Sequence, residues 1–248
     1  MERTFFICVH RRSSAVNFHR MNQLSTQLTQ NKWTLLVSLP ANDVELARAA
    51  LDHGAQGLKV HINVEHFASG TRFGSFEEEK HKLAPIIEMA RERGASVGVV
   101  PGSGGQFASP ADFAALAELG IDYFDAYPFD APAWVFAQTD LDIMMAAFHG
   151  GDWDEFAGFE ALGMKLCEAS ILGHEDYGKA LSALDLAKYR ALAERLSVPI
   201  IVPSQKKIEP SDVPALQKTG VKGLLIGAIV TGRDAASIGA ATRAFAAG

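Results

Sequence analysis

A closed (β/α)8 TIM barrel, one domain over residues 1–248 with an N-terminal extension over 1–32, is the fold this sequence predicts. Three observations carry it. Eight apolar, β-branched runs recur along the chain. Ala/Leu/Glu-rich segments with apolar residues at i, i+3, i+4 spacing lie between them, and no shift in composition marks a linker. An open doubly wound sheet would more often carry a glycine-rich first turn, whereas the first strand here runs straight into "PANDVEL".

The strands are expected at 33–40, 57–64, 96–103, 123–128, 141–148, 164–170, 199–205 and 223–230. Helical segments such as "DVELARAALDHG" and "SPADFAALAELG" start at Ser, Asp or Pro, and several end at Gly, which is helix start and stop chemistry. The fifth unit is the least regular, because "DIMMAAFHGGDWDEFAGFEALG" also suits a helix. Residues 1–32 are expected to form a short strand and a helix that cover one end.

Composition narrows the function. The chain is 48% apolar and 21% charged, enough for one large core, and its net charge of −6 argues against nucleic acid or an anionic membrane as partner. No apolar run reaches the roughly 18–20 residues of a membrane span. The N-terminus lacks the basic and apolar regions of a secretory signal. Cys8 and Cys167 have no metal or redox spacing, which suits a reduced cytoplasm. The sequence therefore predicts a cytoplasmic protein that acts on a small molecule; a homo-oligomer is expected because barrels of this kind often assemble through outer helices.

The stretch "GLKVHINV" (57–64) alternates apolar with polar residues, as a strand does when its two faces differ. In a barrel one face meets the helices and the other fills the interior. Leu58, Val60 and Ile62 then face out, while Lys59, His61 and Asn63 point in and rise toward the C-terminal mouth. By the same alternation Thr34, Leu36 and Ser38 point in from the first strand, and Tyr123, Asp125 and Tyr127 from the fourth. In the sixth, Met164 and Leu166 facing the helices would place Lys165, Cys167 and Ala169 inside.

Two interior lysines and a carboxylate are costly to bury unless they are paired or neutralised. Desolvation and a second cation both favour a neutral amine, which can attack a carbonyl and form a Schiff base. Asp125 or Glu168 could then shuttle protons.

These residues resemble the class I (Schiff-base) aldolases of the deoxyribose-phosphate, tagatose-bisphosphate and archaeal-type fructose-bisphosphate group. "GAQGLKVHINVEH" with the charged helix and "GVVPG" strand after it looks like their segment, and "MKLCEAS" matches the strand that opens with their Schiff-base lysine. The resemblance implies Lys165 as the nucleophile, Lys59 as its accompanying lysine, and a small carbonyl or sugar-phosphate substrate. It departs from the pattern at the seventh turn, where Ser204, Gln205 and Lys206 replace the usual glycines. Gly227 and Ala228 in the eighth turn remain available to an anion. Ser38, His61, Asn63 and Tyr127 complete the expected binding set, with Arg72 on the loop 66–80 that would close over substrate.

No cofactor is expected. His61, His66, His149, Glu168 and His174 lie near strand ends, but no close ligand spacing supports a metal, and none is assigned. Two rival readings stay open. One is a sugar-phosphate isomerase, epimerase or decarboxylase that uses Lys59 and Asp125 as a proton-transfer pair. The other is a barrel that binds a metabolite without turnover.

Overall fold

The computed structural model describes residues 23–30, 33–138 and 140–247. Eight parallel strands close a barrel: β1 (Thr34–Ser38), β2 (Gly57–His61), β3 (Ser96–Val100), β4 (Tyr123–Ala126), β5 (Asp142–Phe148), β6 (Met164–Ser170), β7 (Ile200–Pro203) and β8 (Gly223–Ile226). Each pairs with its neighbours in sequence, and β8 pairs back onto β1. All eight fall within the runs read from the sequence. No helix among the described residues is long and apolar enough to cross a membrane.

Helices Val44–Asp52, Phe76–Glu92, Pro110–Leu119, Trp153–Ala161, Ala183–Arg195, Val213–Lys218 and Ala235–Ala246 follow seven of the strands. Ser75, Ser109 and Ser182 open three of them as capping boxes with Glu78, Asp112 and Asp185. After β4 a 3-10 turn, Ala133–Phe136, stands in for the helix. The fifth unit resolves into strand and helix, split at the Gly150–Gly151 turn.

The strand alternation divides the apolar residues in two. Val37, Leu58, Val60, Ile62, Val97 and Val99 join the helices in the larger core. Leu36, Tyr123, Met144, Leu166, Ile201 and Leu225 form a second cluster inside the barrel. Helix Gln23–Gln30 adds Leu24 and Leu28 to it, both at most 2% exposed, and so plugs the bottom. The helix expected in the N-terminal extension is there; the short strand expected before it falls outside the described residues. Leu24→Ala is expected to cost about 2–5 kcal/mol, read as a lower urea midpoint, because the plug leaves a cavity it cannot fill.

One glycine is dictated by this interior. A Cβ on Gly98 would lie 2.1 Å from the Tyr123 ring, far inside contact distance. Tyr123 fills that space, fully buried, one residue pair below Asp125 on the same strand face.

Candidate active site

Above the apolar layer the interior turns polar. Lys59 on β2 donates to Asp125 Oδ2 on β4 at 2.9 Å and to Glu168 Oε2 on β6 at 2.5 Å. All three are buried, at 6%, 3% and 6% exposure. Burial by itself would strip the charge from this amine, but the two carboxyls outweigh it and hold Lys59 above the ordinary lysine range. Burial, and after it the charge of Asp125, push Glu168 up to about 8 against the pull of Lys59. A charged ammonium thus stands beside a carboxylic acid that can give up its proton near neutrality.

His61 lies two residues above Lys59, with its backbone pinned by Asn42, which donates to His61 O at 2.7 Å and accepts from His61 N at 3.2 Å. Its ring packs on His66 and Phe73 at 4.5 and 4.7 Å. Burial first, then His66 and Lys59, hold it neutral, well below the usual histidine range; burial and Lys59 bring His66 down to about 4. Neither ring nitrogen of His61 has a hydrogen-bond partner among the described residues, nor has Asp125 Oδ1. Buried polar atoms are seldom left so, and the two residues that carry them line the cavity at the barrel mouth.

That cavity holds about 640 Å3 and opens at the C-terminal ends of the strands, where barrel chemistry is housed. Above the trio, Tyr127 and Ser170 share a hydrogen bond at 2.6 Å, and Gln205 donates to the Tyr177 hydroxyl at 2.9 Å. Phe67 and Phe129 stand at the lip, 63% and 68% exposed.

Of the residues singled out from the sequence, Lys59, Asp125, Glu168, Ser38, His61, Tyr127, Ser204, Gln205, Gly227 and Ala228 line this cavity. Four do not, and each is a correction. Lys165 is exposed: the pairing of β6 with β5 shifts between Met164 and Leu166, a bulge that turns Lys165 outward and reverses the alternation beyond it. Leu166, Glu168 and Ser170 therefore face in, while Cys167 and Ala169 join the outer core. Asn63 leaves the strand, because its backbone turns left-handed at φ 53 and its amide donates to Pro101 O. It lines a separate small cleft with Arg72. Lys206 is drawn under the loop by Asp185 and Asp176, at 3.5 and 3.6 Å.

The loop expected over the mouth is partly ordered structure: Val64–His66 pairs antiparallel with Thr71–Phe73 as a hairpin. Ser170, Tyr177, Glu65, Phe67 and Phe129 line the site without having been singled out. Only Ser170 carried a signal, two residues beyond Glu168 on one strand face. Among the described residues no group of three or more His, Cys, Asp or Glu side chains could hold a metal ion.

A closed parallel barrel with its buried charged trio at the C-terminal mouth defines the class: a (β/α)8 barrel protein. Solved structures agree on the fold. The thiamine phosphate pyrophosphorylase from Pyrococcus furiosus superposes with a TM-score of 0.62 at 19% identity, covering 87% of this chain and 94% of its own. A 3-hexulose-6-phosphate synthase gives 0.59 at 18%, covering 86% and 98%. A chain of the tryptophan synthase complex from Pyrococcus furiosus gives 0.64 at 13%, covering 86% and 97%. No protein-family model matches the chain, and no curated protein is significantly similar to it.

Proposed function

We propose that this barrel is an isomerase or epimerase, moving a proton at a carbon next to a carbonyl without covalent attachment to the enzyme. The observation that carries this reading is Lys59 held between Asp125 and Glu168 at the base of the cavity. A lysine so paired keeps its proton and is a poor nucleophile, but it is well suited to hold the oxyanion that forms when the neighbouring carbon loses its proton. Asp125, with Oδ1 unpartnered, takes that proton, and Glu168 returns one from its acid form. Neutral His61 donates a hydrogen bond to the substrate, and Tyr127 with Ser170 orients its hydroxyl groups.

The same trio would stabilise an enolate reached by carbon–carbon cleavage or decarboxylation, so products must be identified alongside exchange. The test is incubation with a panel of hydroxy-aldehydes and hydroxy-ketones in D2O, read by loss of the proton signal next to the carbonyl. Deuterium is expected to enter at that carbon, and Lys165→Ala is expected to exchange at the wild-type rate. Borohydride added to the same mixtures should trap nothing. An adduct on Lys59 would replace this reading with a Schiff-base aldolase, and binding without exchange would favour a metabolite-binding barrel.

A further inference from the structure

We propose that the substrate is a carbonyl compound with a flat apolar body, uncharged or cationic, and not a phosphate ester. The inference rests on the proton-transfer reading of the trio and names the substrate class of that same site.

The cations point this way first. Among the described residues lining the cavity, Lys59 is the sole Lys or Arg, and two carboxyls already hold it. Lys206 spends its charge on Asp185 and Asp176, Arg72 lies on the separate cleft, and Arg233 packs beside Gly70. In the eighth turn Gly227 N is engaged, donating to Ser204 Oγ at 2.8 Å, which leaves only the neutral N–H groups of Ala228 and Ile229 facing an anion. Gln205 is fixed by Leu172 N and O and by Tyr177. Among the described residues a dianion would find no uncommitted lysine or arginine there.

The wall supplies the opposite charge. Glu65, Asp130 and Glu175 line the mouth above the buried carboxyls, so an entering anion meets like charge and a cation meets attraction. The lip is aromatic on two sides. Phe67 stacks on His174 at 4.4 Å with Tyr177 against its edge, and Phe129 stacks on Tyr127 at 5.1 Å with Phe148 against its edge. Two phenylalanines left this exposed beside a cavity are suited to grip a flat ligand.

The experiment is calorimetric titration of the full chain with α-hydroxyacetophenone, α-aminoacetophenone as its ammonium salt, dihydroxyacetone and dihydroxyacetone phosphate. Inorganic phosphate serves as competitor. Both aromatic ketones are expected to bind about tenfold or more tighter than dihydroxyacetone phosphate and to ignore inorganic phosphate. Phe129→Ala and Phe67→Ala, both at exposed positions, should each weaken the aromatic ketones about three- to tenfold.

Tighter binding of dihydroxyacetone phosphate than of dihydroxyacetone, or competition by inorganic phosphate, overturns the inference. So does failure of both aromatic ketones to bind at millimolar concentration, or binding unchanged in both phenylalanine variants. Exchange in D2O on the same samples separates the two readings. Aromatic ketones bound without exchange leave the substrate class standing and remove proton transfer; exchange confined to the phosphate ester does the reverse.

Discussion

Lys59→Met is expected to slow deuterium exchange about a thousandfold or more, the loss usual when a buried charge aimed at a developing oxyanion is removed. Methionine keeps the length and the apolar stem, so the effect isolates the ammonium. The variant leaves Asp125 and Glu168 facing each other with no cation between them, a pairing expected to cost about 3–5 kcal/mol near neutral pH. Glu168, already pushed up by burial and Asp125, rises further once the pull of Lys59 is gone. A carboxyl whose folded-state pKa is raised contributes stability at low pH and loses it as pH rises. Between pH 5 and about 7 both proteins hold Glu168 as the acid and lose stability in parallel, so the deficit of Lys59→Met should stay level there and widen only as pH passes 8 toward 9. Denaturation midpoints measured across that range check it, and exchange rates should be compared at the acid end, where the variant is folded.

Glu168→Gln carries the second large effect. It removes the proton that returns to substrate, and the rate should drop by about 10²–10⁴-fold with the fold intact. Its signature lies in pH dependence. In the wild-type protein Glu168 titrates near 8 when folded and near 4.5 when unfolded, so its contribution to stability declines between those values. His61 and His66 act oppositely: both are lowered, so their contributions are complete above about pH 6.5 and are lost as pH falls. Together these groups favour a stability maximum near pH 6.5, with a decline toward 8 that belongs to Glu168. Glu168→Gln should flatten that decline and abolish the limb of the rate profile near pH 8. A limb that survives in the variant would assign it to another group.

How much of this was legible in the sequence depends on where the alternation is unbroken. The eight strands were, because buried parallel strands are short β-branched runs between capped helices. Lys59 and Asp125 were placed inside correctly, since β2 and β4 keep a strict period of two up to those residues. At β6 the same rule placed Lys165 inside, because a bulge adds one residue without any mark in "MKLCEAS". The resemblance to Schiff-base aldolases drew on that lysine. Asn63 carried a usable hint, as asparagine tolerates the left-handed turn that ends the strand. Lys206 and the aromatic lip depend on contacts between loops far apart in sequence, which no local pattern encodes.

The fit of Gly98 beneath the Tyr123 ring bears on how this barrel can diversify. With 2.1 Å between that ring and any Cβ at position 98, glycine is required there for as long as Tyr123 is kept. A lineage that enlarges residue 98 must first shrink Tyr123, which opens the floor beneath Lys59 to rearrangement. Enlargement at position 98 is thus blocked by Tyr123, and a library built to reshape the base of this cavity should vary both codons at once.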